Sequence, residues 1–140
     1  MKIRTKLNKR VLDVSQSSDN GHDVGDLILF DDYGSENQMF ALSADGPDFV
    51  LKCVKSGKAL EVAKGEHKDG AKVIESDYKS RMEQKWRLQE IVPNSGEYYI
   101  YNSNSGKLLD VPEEKAENHV CVIQYEFNGN KNQIWILKHM

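Results

Sequence analysis

Several residue types are scarce in this chain, and each shortage excludes a class of protein. Two cysteines and three prolines occur among 140 residues, too few cysteines for the disulfide framework of a small secreted scaffold. No apolar run reaches the length of a membrane span, and the first ten residues, MKIRTKLNKR, lack the apolar centre of a signal peptide. We therefore expect a protein that is cytoplasmic or non-classically secreted and that does not insert into membranes.

Charge of one sign is also lacking. The chain carries 19 basic and 22 acidic residues, a formal net charge of −3 and a pI near 5.8. A nucleic-acid partner is not expected, because such proteins present a basic face. His119 and Cys121 are too close in sequence, with no second pair, to predict a zinc site. The sequence therefore predicts no metal and no cofactor.

What the sequence does contain is one pattern written three times. A Leu-Asp-Val-like phrase recurs as KRVLDV (9–14), GKALEV (57–62) and GKLLDV (106–111). Each copy is followed by a β-like run, namely LILFDDY (27–33), KVIESDY (72–78) and CVIQYEF (121–127). Towards the end of each repeat, an aromatic residue stands two positions after a glutamine. These aromatic residues are Phe40, Trp86 and Trp135, and they stand 46 and 49 residues apart. The chain is thus three repeats, about 1–46, 47–95 and 96–140.

Every repeat is predicted to contain four short strands. β-branched and aromatic residues fill the apolar runs, and turn residues such as Asn20-Gly21, Ser56-Gly57 and Asn128-Gly129 separate them. No segment shows a sustained helical period. One repeat alone cannot bury its apolar face, but three around an axis can close a barrel. We expect an all-β protein of about twelve strands, forming a single domain over residues 1–140.

This pattern resembles the ricin-B-type lectins, which are β-trefoils. The resemblance covers nearly the whole chain, and its Gln-x-Trp signature reads Gln38-Met39-Phe40, Gln84-Lys85-Trp86 and Gln133-Ile134-Trp135 here. It implies that Phe40, Trp86 and Trp135 fill a shared structural core and contact no ligand. It also implies binding of glycans that end in galactose or N-acetylgalactosamine.

The family's sugar-binding groups can be sought in each repeat. They are the carboxylate of the Leu-Asp-Val phrase, an aromatic residue about fifteen positions later, and the Asn before Gln-x-Trp. The third repeat has all of them, as Asp110, Tyr125 and Asn132, with Gln133 orienting them from behind. A carboxylate accepts hydrogen bonds from neighbouring hydroxyls, and an aromatic face attracts the C–H face of a sugar ring. The alternative for Asp110 is a turn cap, and for Tyr125 an ordinary strand residue.

The other two repeats are less complete. The first has Asp13, Asn37 and Gln38, but Asp31 aligns with the aromatic position. Because the loop of this repeat is longer, the alignment can shift and place Phe30 or Tyr33 at that position instead. We expect a weak second site. The second repeat has Glu61, Ser76 and Glu83 at the three positions, and we expect a purely structural lobe.

His119 is a secondary candidate for the third site. It lies in the loop between Asp110 and Tyr125, at a position where the other repeats have Gly25 and Gly70. It contributes a hydrogen bond to a ligand or is an ordinary exposed loop residue.

The leading hypothesis is a lectin rather than an enzyme, with a homodimer as one way to raise avidity. Asp13 with Asp31 is the one carboxylate pair that a glycosidase site would require, and no nucleophile motif supports it. The alternative function is a sugar-inactive trefoil that binds proteins, such as a protease inhibitor or a toxin accessory domain.

Overall fold

The computed structural model describes residues 1–138 and shows an all-β protein, as predicted. Four strands lie in each of the ranges 1–46, 47–95 and 96–138. The twelve strands are β1 (Lys2–Thr5), β2 (Val11–Val14), β3 (Leu27–Phe30), β4 (Phe40–Asp45), β5 (Asp48–Cys53), β6 (Ala59–Val62), β7 (Val73–Ser76), β8 (Trp86–Glu90), β9 (Glu97–Asn102), β10 (Leu108–Asp110), β11 (Ile123–Tyr125) and β12 (Trp135–Lys138). Among the described residues, no helix is long and apolar enough to cross a membrane.

Within residues 1–138, helical structure is limited to short 3₁₀ turns. Three of them end at the glutamine of the Gln-x-Trp phrase, and two follow strands β6 and β10. Their bounds are Glu36–Gln38, Met82–Gln84, Lys131–Gln133, Ala63–Gly65 and Pro112–Glu114.

Six strands form a ring and the other six form three hairpins across one end. Antiparallel pairing runs from β1 to β12, β9, β8, β5 and β4 in turn. Two backbone hydrogen bonds of 2.8 Å between Met1 and Phe40 close the ring. The hairpins are β2–β3, β6–β7 and β10–β11. The architecture is the predicted β-trefoil, and closing the ring removes sheet edges that would otherwise be exposed.

Each hairpin also bridges to the next one around the axis. One isolated β-bridge per pair of neighbouring repeats links them, at Ile28–Cys121, Ile74–Asp26 and Ile123–Lys72. These bridges link the hairpins near the ends at which the two strands of each hairpin are connected. Cys53 and Cys121 are both free, as expected from their non-equivalent positions.

The shared core contains the three predicted aromatic residues. Phe40, Trp86 and Trp135 are fully buried. The indole of Trp86 donates to the Leu60 carbonyl and that of Trp135 to the Leu109 carbonyl, each at 3.0 Å. The prediction that these residues build the core is confirmed.

A buried glutamine ties each repeat together. Its Nε2 donates both to the carboxylate of the Leu-Asp-Val phrase and to a backbone carbonyl, and its Oε1 accepts a backbone N–H. In the third repeat Gln133 donates to Asp110 Oδ2 (2.9 Å) and to the Glu126 carbonyl (2.8 Å), and accepts from Asn128 N–H (3.0 Å). The same bonds recur for Gln38 with Asp13, Asp31 and Tyr33, and for Gln84 with Glu61, Asp77 and Lys79.

The indole hydrogen bond of Trp86 should contribute measurably to stability. Trp86→Phe keeps an aromatic ring of the kind found at Phe40 but leaves the buried Leu60 carbonyl without its donor and the core underfilled. We expect a loss of about 2 kcal/mol or more in the free energy of unfolding, measured by urea denaturation. The exposed Val92→Ala should change it by less than about 0.5 kcal/mol. Equal effects of the two changes would contradict this assignment.

Replacing the buried amide of Gln133 with a carboxyl group of the same shape should destabilise the fold. Gln133→Glu places a second carboxylate against Asp110 and removes the donor to the Glu126 carbonyl. We expect a loss of about 3 kcal/mol or more near pH 7. The loss relative to wild type should shrink on acidification, because two adjoining buried carboxyls have raised pKa values and share a proton. Gln89→Glu, on the exposed surface, is the matched control; a pH-independent deficit in Gln133→Glu would contradict the reasoning.

Candidate functional site

The β10–β11 hairpin presents Asp110 and Tyr125 on one face. Asp110 pairs with Ile123 and Leu108 pairs with Tyr125. Residues directly opposite in an antiparallel pair point to the same side, and so do residues two apart in one strand. The carboxylate and the phenol ring are therefore diagonal neighbours. Leu109 and Gln124 point to the other side and are fully buried.

Asp110 forms the polar floor of this face. It is 2% exposed, and only Oδ2 accepts a hydrogen bond from the described residues, from Gln133 at 2.9 Å. Burial raises the pKa of the Asp110 carboxyl above its usual 3.8, while the Gln133 amide and then the Asn132 amide act in the opposite direction. Its second oxygen remains available to a ligand.

Asn132 provides a second available oxygen. Its Nδ2 donates to the Val111 carbonyl at 3.1 Å, which fixes the orientation of the amide because a carbonyl can only accept. The Oδ1 atom is buried and has no hydrogen-bond partner within residues 1–138. A buried acceptor without a donor is costly, by about 1–3 kcal/mol, and a ligand hydroxyl would relieve that cost.

These groups border one open hollow of about 500 Å³. Tyr125 is 39% exposed and forms one wall, the 3₁₀ turn Pro112–Glu114 forms another, and Asn128 and Asn130 complete the rim. Gln133 is fully buried behind Asp110 and does not border the hollow. The structure thus brings Asp110, Tyr125 and Asn132 together, with Gln133 in the orienting position.

The first repeat has a smaller hollow of about 230 Å³. Asp13 and Asn37 border it, and Gln38 lies buried behind Asp13. Both Asp13 oxygens already accept hydrogen bonds, from Asn37 Nδ2 (3.1 Å) and Gln38 Nε2 (2.9 Å). Burial raises the pKa of Asp13, with Gln38 and then Asn37 acting against it. Protein groups occupy acceptors that are open in the third repeat.

The aromatic position of the first repeat is Phe30, not Asp31. Val11 pairs with Phe30 as Leu108 pairs with Tyr125 and Ala59 with Ser76. The β2–β3 connection is longer than its counterparts. For this reason the alignment based on sequence spacing was wrong by one residue. The shift anticipated in the sequence is the one observed, and Tyr33 also borders this hollow.

His119 lies in the first-repeat hollow, not in the third as expected. Its backbone N–H donates to the Leu29 carbonyl, and its ring contacts the Phe30 ring edge to face at 4.9 Å. The reason is that the β10–β11 connection crosses the border between repeats. Its φ of 76° matches Gly25 (90°) and Gly70 (87°), so the sequence correctly identified an unusual backbone position.

Two further residues of this hollow were not found from the sequence. The ring of His22 is within 3.0 Å of the His119 ring, nitrogen to nitrogen, and Asp19 lies beside it. These residues are 97 and 100 positions from His119, so no local motif connects them. The longer first-repeat loop was the available signal.

In the second repeat, polar groups close the equivalent face. Glu61 is buried and bound by Gln84 at 2.9 Å. Ser76 replaces the aromatic wall. Glu83 occupies the position of Asn132, and its side chain packs against Gly65. A Cβ atom added at Gly65 would lie 3.0 Å from Glu83 Oε2. These contacts leave no aromatic platform over Glu61.

Comparisons with known proteins agree with this architecture. A designed threefold-symmetric protein, ThreeFoil, shares 32% identity over 99% of this chain and 97% of its own, with a TM-score of 0.88. An exo-β-1,3-galactanase from Clostridium thermocellum shares 31% identity over 96% of this chain, which spans 29% of the galactanase, with a TM-score of 0.86. A Macrolepiota procera ricin B-like lectin, solved with lactose, has the same fold at 19% identity, with a TM-score of 0.81 over 96% of this chain and 91% of the lectin.

No curated protein matches the chain significantly. The profile of the family described as ricin-type beta-trefoil lectin domain-like matches residues 36–119 and 82–140, which together span most of the sequence. With the three-lobed ring and the buried Gln-x-Trp cores, this match shows that the chain belongs to the ricin-type β-trefoil lectin-like domain family.

Proposed function

We propose that this domain binds carbohydrate, with its main site in the third-repeat hollow and a terminal galactose or N-acetylgalactosamine as its ligand. The observation that carries the proposal is the hollow bordered by Asp110, Tyr125 and Asn132, where Asp110 Oδ1 and Asn132 Oδ1 accept no hydrogen bond from residues 1–138. Membership of a lectin-like family supports carbohydrate as the ligand class.

Each group has a defined task in this proposal. Asp110 Oδ1 accepts hydrogen bonds from adjacent sugar hydroxyls, and bonds to a charged acceptor are the strong ones. Asn132 Oδ1 accepts from a further hydroxyl. The Tyr125 ring packs against the C–H face of the sugar. In galactose the axial 4-hydroxyl leaves one face apolar, which suits such a ring, and the similar lectin solved with lactose supports this choice.

A single open hollow implies weak binding. We expect a Kd in the micromolar to millimolar range, about −4 to −8 kcal/mol. The first-repeat hollow is a weaker candidate, since each Asp13 oxygen already accepts a hydrogen bond, from Asn37 or from Gln38. A homodimer or a linked second domain would raise avidity for multivalent glycans.

We infer binding rather than catalysis. A glycosidase needs a second carboxylate across the scissile bond, and Asp31, the partner that the sequence offered to Asp13, is otherwise engaged. Its carboxylate lies 3.3 Å from Arg10 Nε and accepts from Asn118 at 2.9 Å.

Removing the charge of Asp110 should weaken sugar binding. Asp110→Asn keeps the shape and an acceptor for Gln133 but loses the charge-assisted bonds to hydroxyls, each worth about 1.5–3 kcal/mol. We expect the Kd for lactose, measured by isothermal titration calorimetry, to rise about 10-fold or more.

Glu61→Gln in the second repeat is the matched control and should leave the Kd unchanged. If Asp13→Asn were damaging and Asp110→Asn silent, the main site would belong to the first repeat. If a glycan array shows no ligand for the wild type, the protein-binding alternative replaces this proposal.

Sugar binding should also weaken as the pH falls, and this weakening should begin at a pH above the usual aspartate pKa. Burial raises the pKa of Asp110 above 3.8, so the carboxylate that accepts sugar hydroxyls is lost as the pH falls through that raised value. Lactose titrations between about pH 7 and pH 3 would measure this, and the residual affinity of Asp110→Asn should lack the dependence. An affinity that stays constant below pH 3.8 would exclude Asp110 as the acceptor.

A further inference from the structure

Three potential metal ligands from two repeats meet at the rim of the first-repeat hollow. A nitrogen of His22, a nitrogen of His119 and a carboxylate oxygen of Asp19 all lie within 4.8 Å of one another. His22 Nε2 is 3.0 Å from His119 Nδ1 and 3.8 Å from Asp19 Oδ1. All three residues border the same hollow as Asp13 and Phe30.

The surroundings of His22 favour one of its two tautomers. The Ser15 hydroxyl donates its only proton to the Ser17 carbonyl at 2.7 Å. His22 Nδ1 faces both of these oxygens, at 2.8 Å and 3.2 Å, and both can only accept there. This arrangement favours the tautomer with its proton on Nδ1, in which Nε2 presents a bare lone pair to His119 and Asp19. Metal-binding histidines are oriented in this way, with the second ring nitrogen donating to an oxygen.

The two imidazoles meet edge to edge. Their planes differ by 14° and their centroids are 5.2 Å apart, which, with a 3.0 Å contact between nitrogens, excludes face-to-face stacking. Two nitrogens bound at about 2.0–2.1 Å to a tetrahedral metal are separated by about 3.3 Å, so a small opening of the pair admits an ion. His119 is half-buried and Asp19 is exposed, so their side chains have room to move.

We propose that Asp19, His22 and His119 form a Zn²⁺ site with His22 Nε2, His119 Nδ1 and the Asp19 carboxylate as ligands and a fourth position open to the hollow. In the metal complex His119 carries its proton on Nε2. Two imidazoles and one carboxylate are a donor set that suits zinc better than the hard cations Mg²⁺ and Ca²⁺. The site is separate from the third-repeat hollow and goes beyond the proposed sugar binding.

Two features of the chain support a built site. Asp19 and His22 lie in the β2–β3 connection, which is two residues longer than the other two, counting from Asp13 to Ile28 against Glu61 to Ile74 and Asp110 to Ile123. His119 has a left-handed backbone, with a φ of 76°, where Gly70 stands in the second repeat. A non-glycine residue there is strained, and such strain is typical of functional positions.

The test titrates Zn²⁺ into untagged, chelator-stripped protein by isothermal titration calorimetry. We expect saturable 1:1 binding of Zn²⁺ and none of Mg²⁺. His119→Gly should abolish the binding and still fold, because glycine relieves the left-handed backbone and occurs at the equivalent Gly70. Ser15→Ala removes the nearer of the two oxygens that face His22 Nδ1 and should weaken binding by about 10-fold. Nitrogen-15 spectra of the histidine rings should show shifts at His22 Nε2 and His119 Nδ1 when Zn²⁺ is added.

The exposed His67 and the thiol of Cys121 supply the controls. His67→Ala and Cys121→Ser should bind Zn²⁺ as the wild type does. The proposal is overturned if the wild type shows no 1:1 binding, if His119→Gly binds as tightly as the wild type, or if either control abolishes binding.

Discussion

The buried glutamine of each repeat holds the rest of the domain in place. Its amide joins three parts of one repeat: the acid-bearing strand, the segment that leaves the second strand of the same hairpin, and the 3₁₀ turn that leads into the next barrel strand. All three glutamines are fully buried, so a missing partner would leave a desolvated polar group, which costs far more than an exposed one. The same bond that fixes the lobe also fixes the orientation of the carboxylate on its outer face.

This arrangement explains how three equivalent lobes can differ in function without changing the fold. The amide needs a carboxylate oxygen but does not need both. In the third repeat the second oxygen of Asp110 is left over, and the neighbouring Asn132 amide turns to the Val111 backbone. In the first repeat Asn37 donates to both Asp13 and the Val14 carbonyl, so each carboxylate oxygen of Asp13 accepts a hydrogen bond from the protein. The number of protein hydrogen bonds to the acid therefore differs between lobes that share one core.

The architecture was predictable because short segments of the sequence determine it. Repetition, turn residues and the Gln-x-Trp phrase specify strands and core, and register within the third hairpin places Asp110 beside Tyr125. What sequence spacing could not show was contact between repeats. The extra residues before Ile28 moved the aromatic position to Phe30, and nothing near His119 in the sequence indicates that its loop crosses to the first repeat. The pairing of His22 with His119 depends on three-dimensional packing between lobes.

The bridge between Ile28 and Cys121 has an evolutionary consequence. It anchors the third repeat's hairpin against the first repeat. The first-repeat hollow is therefore built from two segments of the chain, one that carries Asp13 and one that carries His119. An exchange of whole repeats between related genes would separate these two halves, while it would transfer the third hollow, built from a single segment, intact.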